Sequence, residues 1–136
     1  MAVIGKLFKK SEADALFGAV TASAAVNSVD LAALIDQAGN DIMFKLVNGN
    51  LIVLGEGRKV LYPEGAVVSD SDVFARFSSS KASELLSTGV DDNVYVEQRG
   101  DTTTINYGDN ILEDGVNCPP ICWWQIFYLL INALFN

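Results

Sequence analysis

The chain has 136 residues, which suits one domain with its own core, and half of them are hydrophobic, which argues against intrinsic disorder. Its 9 basic and 17 acidic residues give a net charge of −8, and a negative surface repels phosphate, so nucleic acid is not an expected partner. There is no histidine, which removes the commonest general base and the commonest ligand of zinc, copper and haem iron. We therefore expect no enzyme, no catalytic residues, no cofactor and no metal site.

The first part of the chain predicts an arm and two helices. Residues 1–10 include three lysines and predict a basic N-terminal arm. Residues 11–14 read Ser-Glu-Ala-Asp, the pattern of a capping box, and apolar residues up to Val26 predict a first helix behind it. Ser28 is the expected cap of a second helix over residues 29–38, which Gly39 would end.

The hydrophobic pattern then changes to the alternation that is typical of strands. Residues 42–47 place Ile, Phe and Leu on one face, and Asn48-Gly49 is a strong signal for a hairpin turn. The returning strand, residues 51–54, is apolar on both faces, so we expect burial on both sides. Further short strands are predicted up to residue 69.

The remaining part predicts a short helix over residues 79–87, a second hairpin over residues 94–107 and a loop over residues 109–117. The pattern contains no internal repeat. The predicted fold class is α+β, with an N-terminal helix pair, small antiparallel β-hairpins and an apolar C-terminal helix or strand. We expect residues 11–117 to form one α+β domain and residues 118–136 to form an apolar C-terminal segment.

The C-terminal segment is open to three interpretations. Gln125 and Asn132 are the polar residues of the range 121–135, and no Lys or Arg follows Arg99. As a helix, this range rises roughly 22 Å, which is short for a ~30 Å hydrocarbon layer. It could complete the core, anchor the chain in a membrane, or pack against another copy. We favour the last, because apolar side chains would surround such a helix on all sides. The predicted assembly interface is Trp123, Trp124, Phe127, Tyr128, Leu130, Ile131, Leu134 and Phe135.

Two cysteines stand at the start of this segment. Cys118 and Cys122 could close a small disulfide loop or remain buried thiols. Two cysteines without histidine cannot complete a tetrahedral zinc site, and their spacing differs from the Cys-x-x-Cys redox motif.

Two other patterns have simpler explanations than chemistry. Residues 78–81 match the Ser-x-x-Lys motif of acyl-transfer enzymes, but the companion motifs are missing and a helix start explains the serines. Asp70, Asp72, Asp91 and Asp92 lack the spacing of a calcium loop and fit solvated acidic loops.

These observations favour a self-assembling structural subunit of a filament, shell, virion or surface assembly, whose partners are copies of itself. A membrane-associated protein anchored by residues 121–135, with the membrane as a partner, is the first alternative, and a soluble small binding module is the second. Residues 1–24 resemble a signal peptide, but Glu12 and Asp14 interrupt the pattern, so we expect no cleavage. The expected location is cytoplasmic, particle-associated or exported by a non-classical route.

Overall fold

The structure, a computed structural model, describes residues 3–113 and 115–122. Within these residues, ten strands form two antiparallel sheets of five strands each, and the α-helices are three short ones. The fold is therefore mostly β, and the predicted α+β fold with a leading helix pair is wrong. The predicted C-terminal helix or strand lies outside the described residues.

The sheets are named A and B. Sheet A has the strand order β1-β9-β8-β7-β2, with β1 Lys6–Lys9, β2 Ala22–Asn27, β7 Asn93–Arg99, β8 Thr102–Tyr107 and β9 Asn110–Glu113. Sheet B has the order β10-β6-β3-β4-β5, with β3 Asp41–Val47, β4 Asn50–Leu54, β5 Val60–Tyr62, β6 Phe74–Ser78 and β10 Val116–Cys118. The helices are α1 Lys10–Phe17, α2 Ser28–Ala38 and α3 Ser79–Leu86, and a 3-10 turn spans Glu56–Arg58.

The predicted first helix is too long, and this error produced the wrong fold class. Helix α1 ends at Phe17, because Gly18 has a φ of +86° that stops the helix. The residues beyond it form β2, in which Ala24 and Val26 are half-buried while their neighbours are exposed. This alternation has the period of a strand, and small apolar residues satisfy it as well as they satisfy a helix. The predicted loop over residues 109–117 is also wrong, since it contains β9 and part of β10.

Several local predictions are confirmed. Asn48 and Gly49 have φ values of +51° and +79° and join β3 to β4. Strand β4 buries Leu51, Val53 and Leu54, which lie on both of its faces. Helix α2 forms where it was predicted, but its cap is the preceding Asn27, a residue before the predicted one.

The topology contains two units with the same order of elements, although the sequence pattern showed no repeat. The first unit, residues 22–62, is β2-α2-β3-β4-β5, and the second unit, residues 74–113, is β6-α3-β7-β8-β9. The leading strand of each unit pairs with the strand that follows the helix of the other unit, so that β2 pairs with β7 and β6 pairs with β3. The backbone bonds at the two crossings are equivalent: Ser28 N donates to Asp92 O at 2.7 Å, and Ser79 N donates to Asn40 O at 2.9 Å.

The main core lies where both sheets meet α2 and α3. Its members are apolar side chains from both units, among them Leu31, Leu34, Ile42, Phe44, Phe77, Leu85, Val94, Val96, Ile105 and Leu112. A smaller cluster on the outer face of sheet B contains Met43, Leu54, Phe74, Cys118 and Cys122. Each sheet is therefore covered on its outer face as well, sheet B by the start of the C-terminal segment and sheet A by α1.

Candidate functional site

The candidate site is the base of the C-terminal segment, which is defined as residues 115–122 and lies against sheet B. The predicted interface residues, from Trp123 to Phe135, lie outside the described residues. The structure joins Cys118 to Cys122 by a disulfide. Both sulfur-bearing residues are buried, at 0% and 5% exposure, in the small cluster on the outer face of sheet B.

Strand β10 brings the chain into this position. It pairs antiparallel with β6, with Val116 opposite Arg76 and Cys118 opposite Phe74. After the strand, Ile121 N donates to Asn117 O at 2.8 Å and closes a turn around the disulfide. The base is thus a covalently closed loop that is hydrogen-bonded to sheet B.

Arg58 holds this loop from one side. Its Nη1 donates to the Cys118 carbonyl at 2.9 Å, and its Nη2 donates to the carbonyls of Ser69 at 3.0 Å and Asp72 at 2.9 Å. The guanidinium lies 5.4 Å from the centre of the Phe74 ring, in the range of a cation–π contact. One side chain therefore joins the base of the C-terminal segment to the loop over residues 69–72.

Arg76 holds the loop from the other side. Its Nη1 donates to the Ile121 carbonyl at 3.0 Å, and its Nη2 forms an ion pair with Asp41 Oδ2 at 3.0 Å. The side chains of this pair are 5% and 12% exposed, so water screens the pair weakly. A buried guanidinium bonded to both a carboxylate and a carbonyl has little rotational freedom, which fixes the position of Ile121.

The sequence interpretation missed both arginines. The signal that could have identified them is Pro119-Pro120, because proline has a carbonyl but no N–H. A loop that is poor in donors needs donors from elsewhere, and arginine supplies five in a fixed geometry. The partners lie 60 and 45 residues apart in the chain, so the pattern could indicate a need for donors but not which residues meet it.

A second buried polar cluster lies beneath α1. The Arg99 side chain is 0% exposed, and its Nη1 donates to Asp14 Oδ1 at 2.7 Å and to the Gly18 carbonyl at 2.8 Å. Its Nη2 lies 3.4 Å from Glu97 Oε1, and its Nε donates to Thr104 Oγ1 at 3.3 Å. All three guanidinium nitrogens have partners within the domain, so this cluster attaches α1 to sheet A.

The other motifs form no reactive arrangement. Lys81 Nζ pairs with Glu84 at 2.9 Å, and the Ser78 hydroxyl accepts a bond from Ile4 N at 2.7 Å. Asp72 accepts a bond from Ser69 N at 2.9 Å within its own loop. Across residues 3–113 and 115–122, no group of three or more Asp, Glu or Cys side chains is placed to hold a metal ion.

The helices of the described part are all too short or too polar to cross a membrane. Comparison with models of known protein families yields no match, and neither curated proteins nor solved structures contain a match to the chain.

Proposed function

We propose that the protein is a self-assembling structural subunit, of a filament, shell, virion or surface assembly, that associates through residues 123–135. The observation that supports this most directly is the base of the C-terminal segment. The disulfide, Arg58 and Arg76 fix the position of Cys118, Ile121 and Cys122, directly before the segment. A segment that starts from a fixed point loses less conformational freedom on docking than one attached through a flexible linker.

The composition of the segment supports the same function. Residues 123–136 contain no charged side chain, although the chain as a whole is strongly acidic. Burial of each large apolar side chain contributes about 2–3 kcal/mol before the cost of association is subtracted. Docking of the aromatic and branched residues on a second copy would therefore supply the driving force for assembly.

The test is the size of the full-length chain in solution without detergent, measured by light scattering after size exclusion. Wild type is expected to form particles larger than a monomer. Ile131→Asp places a charge in the proposed interface, and since desolvation of an unpaired charge costs several kcal/mol, we expect the dissociation constant to rise at least about 100-fold. Val90→Asp is the matched control, because Val90 is 96% exposed on the loop after α3.

Three outcomes would overturn the proposal. A wild-type chain that is a monomer at every concentration would show that residues 123–135 do not drive assembly. A wild-type chain that is soluble only in detergent, or that binds liposomes through this segment, would establish the membrane-associated alternative. If Ile131→Asp and Val90→Asp dissociate to the same extent, the loss of assembly comes from the added negative charge and not from the proposed interface.

A further inference from the structure

The outer edge of β6, the leading strand of the second unit, is covered by chain from outside the two units. Ser78 N donates to the Ile4 carbonyl at 2.8 Å, and Ile4 N donates to Ser78 Oγ at 2.7 Å. Strand β10 pairs with the same edge, and β1 continues from Ile4 to cover the edge of β9. Extended segments therefore cover both edges of the second unit.

The corresponding part of the first unit is open in the described residues. Across residues 3–113 and 115–122, no strand lies beside the outer edges of β2 and β5, which are the last strands of their sheets. Between these edges and α2 lies a groove of about 600 Å³. Its lining combines apolar residues, among them Ala33, Leu34 and Leu51, with the polar residues Asn27, Asp30 and Asn50. This groove is the counterpart of the cleft that Ile4 and β1 occupy in the second unit.

The edge of β2 has donors and acceptors available for a further strand. Ser28 N donates to Asp92 O, and backbone bonds alternate along an antiparallel ladder. The backbone N–H and C=O groups of Ala24 and Val26 therefore point toward β7. The backbone groups of Ser23 and Ala25 then point away from the sheet. Strand β2 reads Ala-Ser-Ala-Ala-Val-Asn and lacks the charges and prolines that protect exposed edges from pairing.

We propose that residues 123–135 of one copy bind as an extended strand along the edge of β2 in a second copy, with apolar side chains in the groove. The proposal rests on the proposed function and identifies the surface that receives the segment. The segment is uncharged and rich in aromatic residues, which suits strand addition along an edge that borders a partly apolar groove.

Because the segment and the groove lie at opposite edges of sheet B, their contact between different chains would be head-to-tail. The segment starts next to β10, at one edge of sheet B, whereas the groove adjoins β5, at the opposite edge. Four strand spacings of roughly 4.8 Å separate these edges. A segment at one edge that binds a groove at the opposite edge gives a head-to-tail interface, which forms a ring or a filament.

The first test compares two full-length variants of α2. Ala33→Glu places a charge in the groove, and Ala32→Glu places the same charge at the next exposed position of the helix, which does not line the groove. We expect Ala33→Glu to raise the dissociation constant at least 10-fold and Ala32→Glu to change it less than twofold. Ala25→Pro removes one outward N–H and is expected to weaken association similarly, without loss of a bond to β7.

The decisive test mixes two variants, one with a defective groove and one with a defective segment. Ala33→Glu retains an intact segment, and Ile131→Asp retains an intact groove. At a concentration between the wild-type and the variant dissociation constants, each variant alone should be mostly monomeric. The mixture should form a one-to-one pair with the affinity of the wild-type contact, measured by light scattering.

The outcomes separate this proposal from the proposed function. Wild-type assembly that is unaffected by Ala33→Glu and Ala25→Pro would overturn the groove assignment and leave assembly intact. Failure of the mixture to pair, while wild type still assembles, would overturn the binding of the segment to the groove between chains. A monomeric wild type would overturn the proposed function itself, and protection of its groove from hydrogen exchange would show that the segment binds within its own chain.

Discussion

The two units share a topology but differ in what covers their edges. In the second unit, Ile4 and β10 cover the edge of β6, and β1 covers the edge of β9. In the first unit, β2 and β5 are the outermost strands of the described sheets. The additional strands come from chain on either side of the two units. The comparison teaches that, among the described residues, the flanking chain covers the edges of the second unit and not those of the first.

The units also differ in how their outer faces are stabilised. The last residue of β7 is Arg99, which is buried beneath α1, and the last residue of β3 is Val47, which is 39% exposed. Both precede a two-residue turn, so they occupy the same place in their units. The equivalent position thus attaches a helix in one unit and faces solvent in the other.

The largest predicted effect comes from this pair of positions. Arg99→Ala should lower the free energy of unfolding by about 3–5 kcal/mol, because it leaves the buried Glu97 carboxylate without its partner. Val47→Ala, the matched change in the first unit, should lower it by less than about 0.5 kcal/mol. Urea unfolding measures both, in an Ile131→Asp background that removes any contribution from association. Equal effects would show that Arg99 does not distinguish the units.

The second prediction concerns the cover of β6. Replacement of both Cys118 and Cys122 by serine opens a short loop, and chain entropy predicts a loss of about 2 kcal/mol. The amides of β10 should then exchange faster with solvent, while those of β2 should be unchanged. Unfolding and hydrogen exchange with and without reductant measure this. If neither reductant nor the serine replacements change the free energy of unfolding, Arg58 and Arg76 hold the base without the disulfide.

The smallest predicted effects come from the residues that precede the two helices. Asn27 Oδ1 accepts a bond from Val29 N at 2.8 Å, so Asn27→Ala should destabilise the start of α2 by about 1 kcal/mol. Its counterpart Ser78 bonds to Ile4 instead, so Ser78→Ala should release the N-terminal chain at a similar cost. Hydrogen exchange distinguishes the two variants. Asn27→Ala should speed exchange at the start of α2, and Ser78→Ala should speed exchange in the N-terminal chain around Ile4. Exposure of the start of α3 in Ser78→Ala would contradict the comparison.

The sequence was most informative where local chemistry determines the structure. The turn at Asn48-Gly49 forms because its residues tolerate positive φ, and the alternation in β3 directs Ile42 and Phe44 into the core. It was least informative at β2, whose small residues fit a helix and a strand equally. There the pairing with β7, a partner about 70 residues away, decided the outcome. The same reason explains why Arg58 and Arg76 were missed at the base.

By itself the sequence determined the acidic character, the absence of histidine chemistry, the two hairpins and the uncharged C-terminal segment, because these depend on composition and on neighbouring residues. Only the tertiary structure decided that the fold is two sheets with exchanged strands. It also decided that the units are topologically repeated, that two arginines hold the base, and that no strand among the described residues pairs with the outer edge of β2. Each of these depends on pairing and burial between segments distant in the chain, where a slip of one residue would turn every side chain to the opposite face.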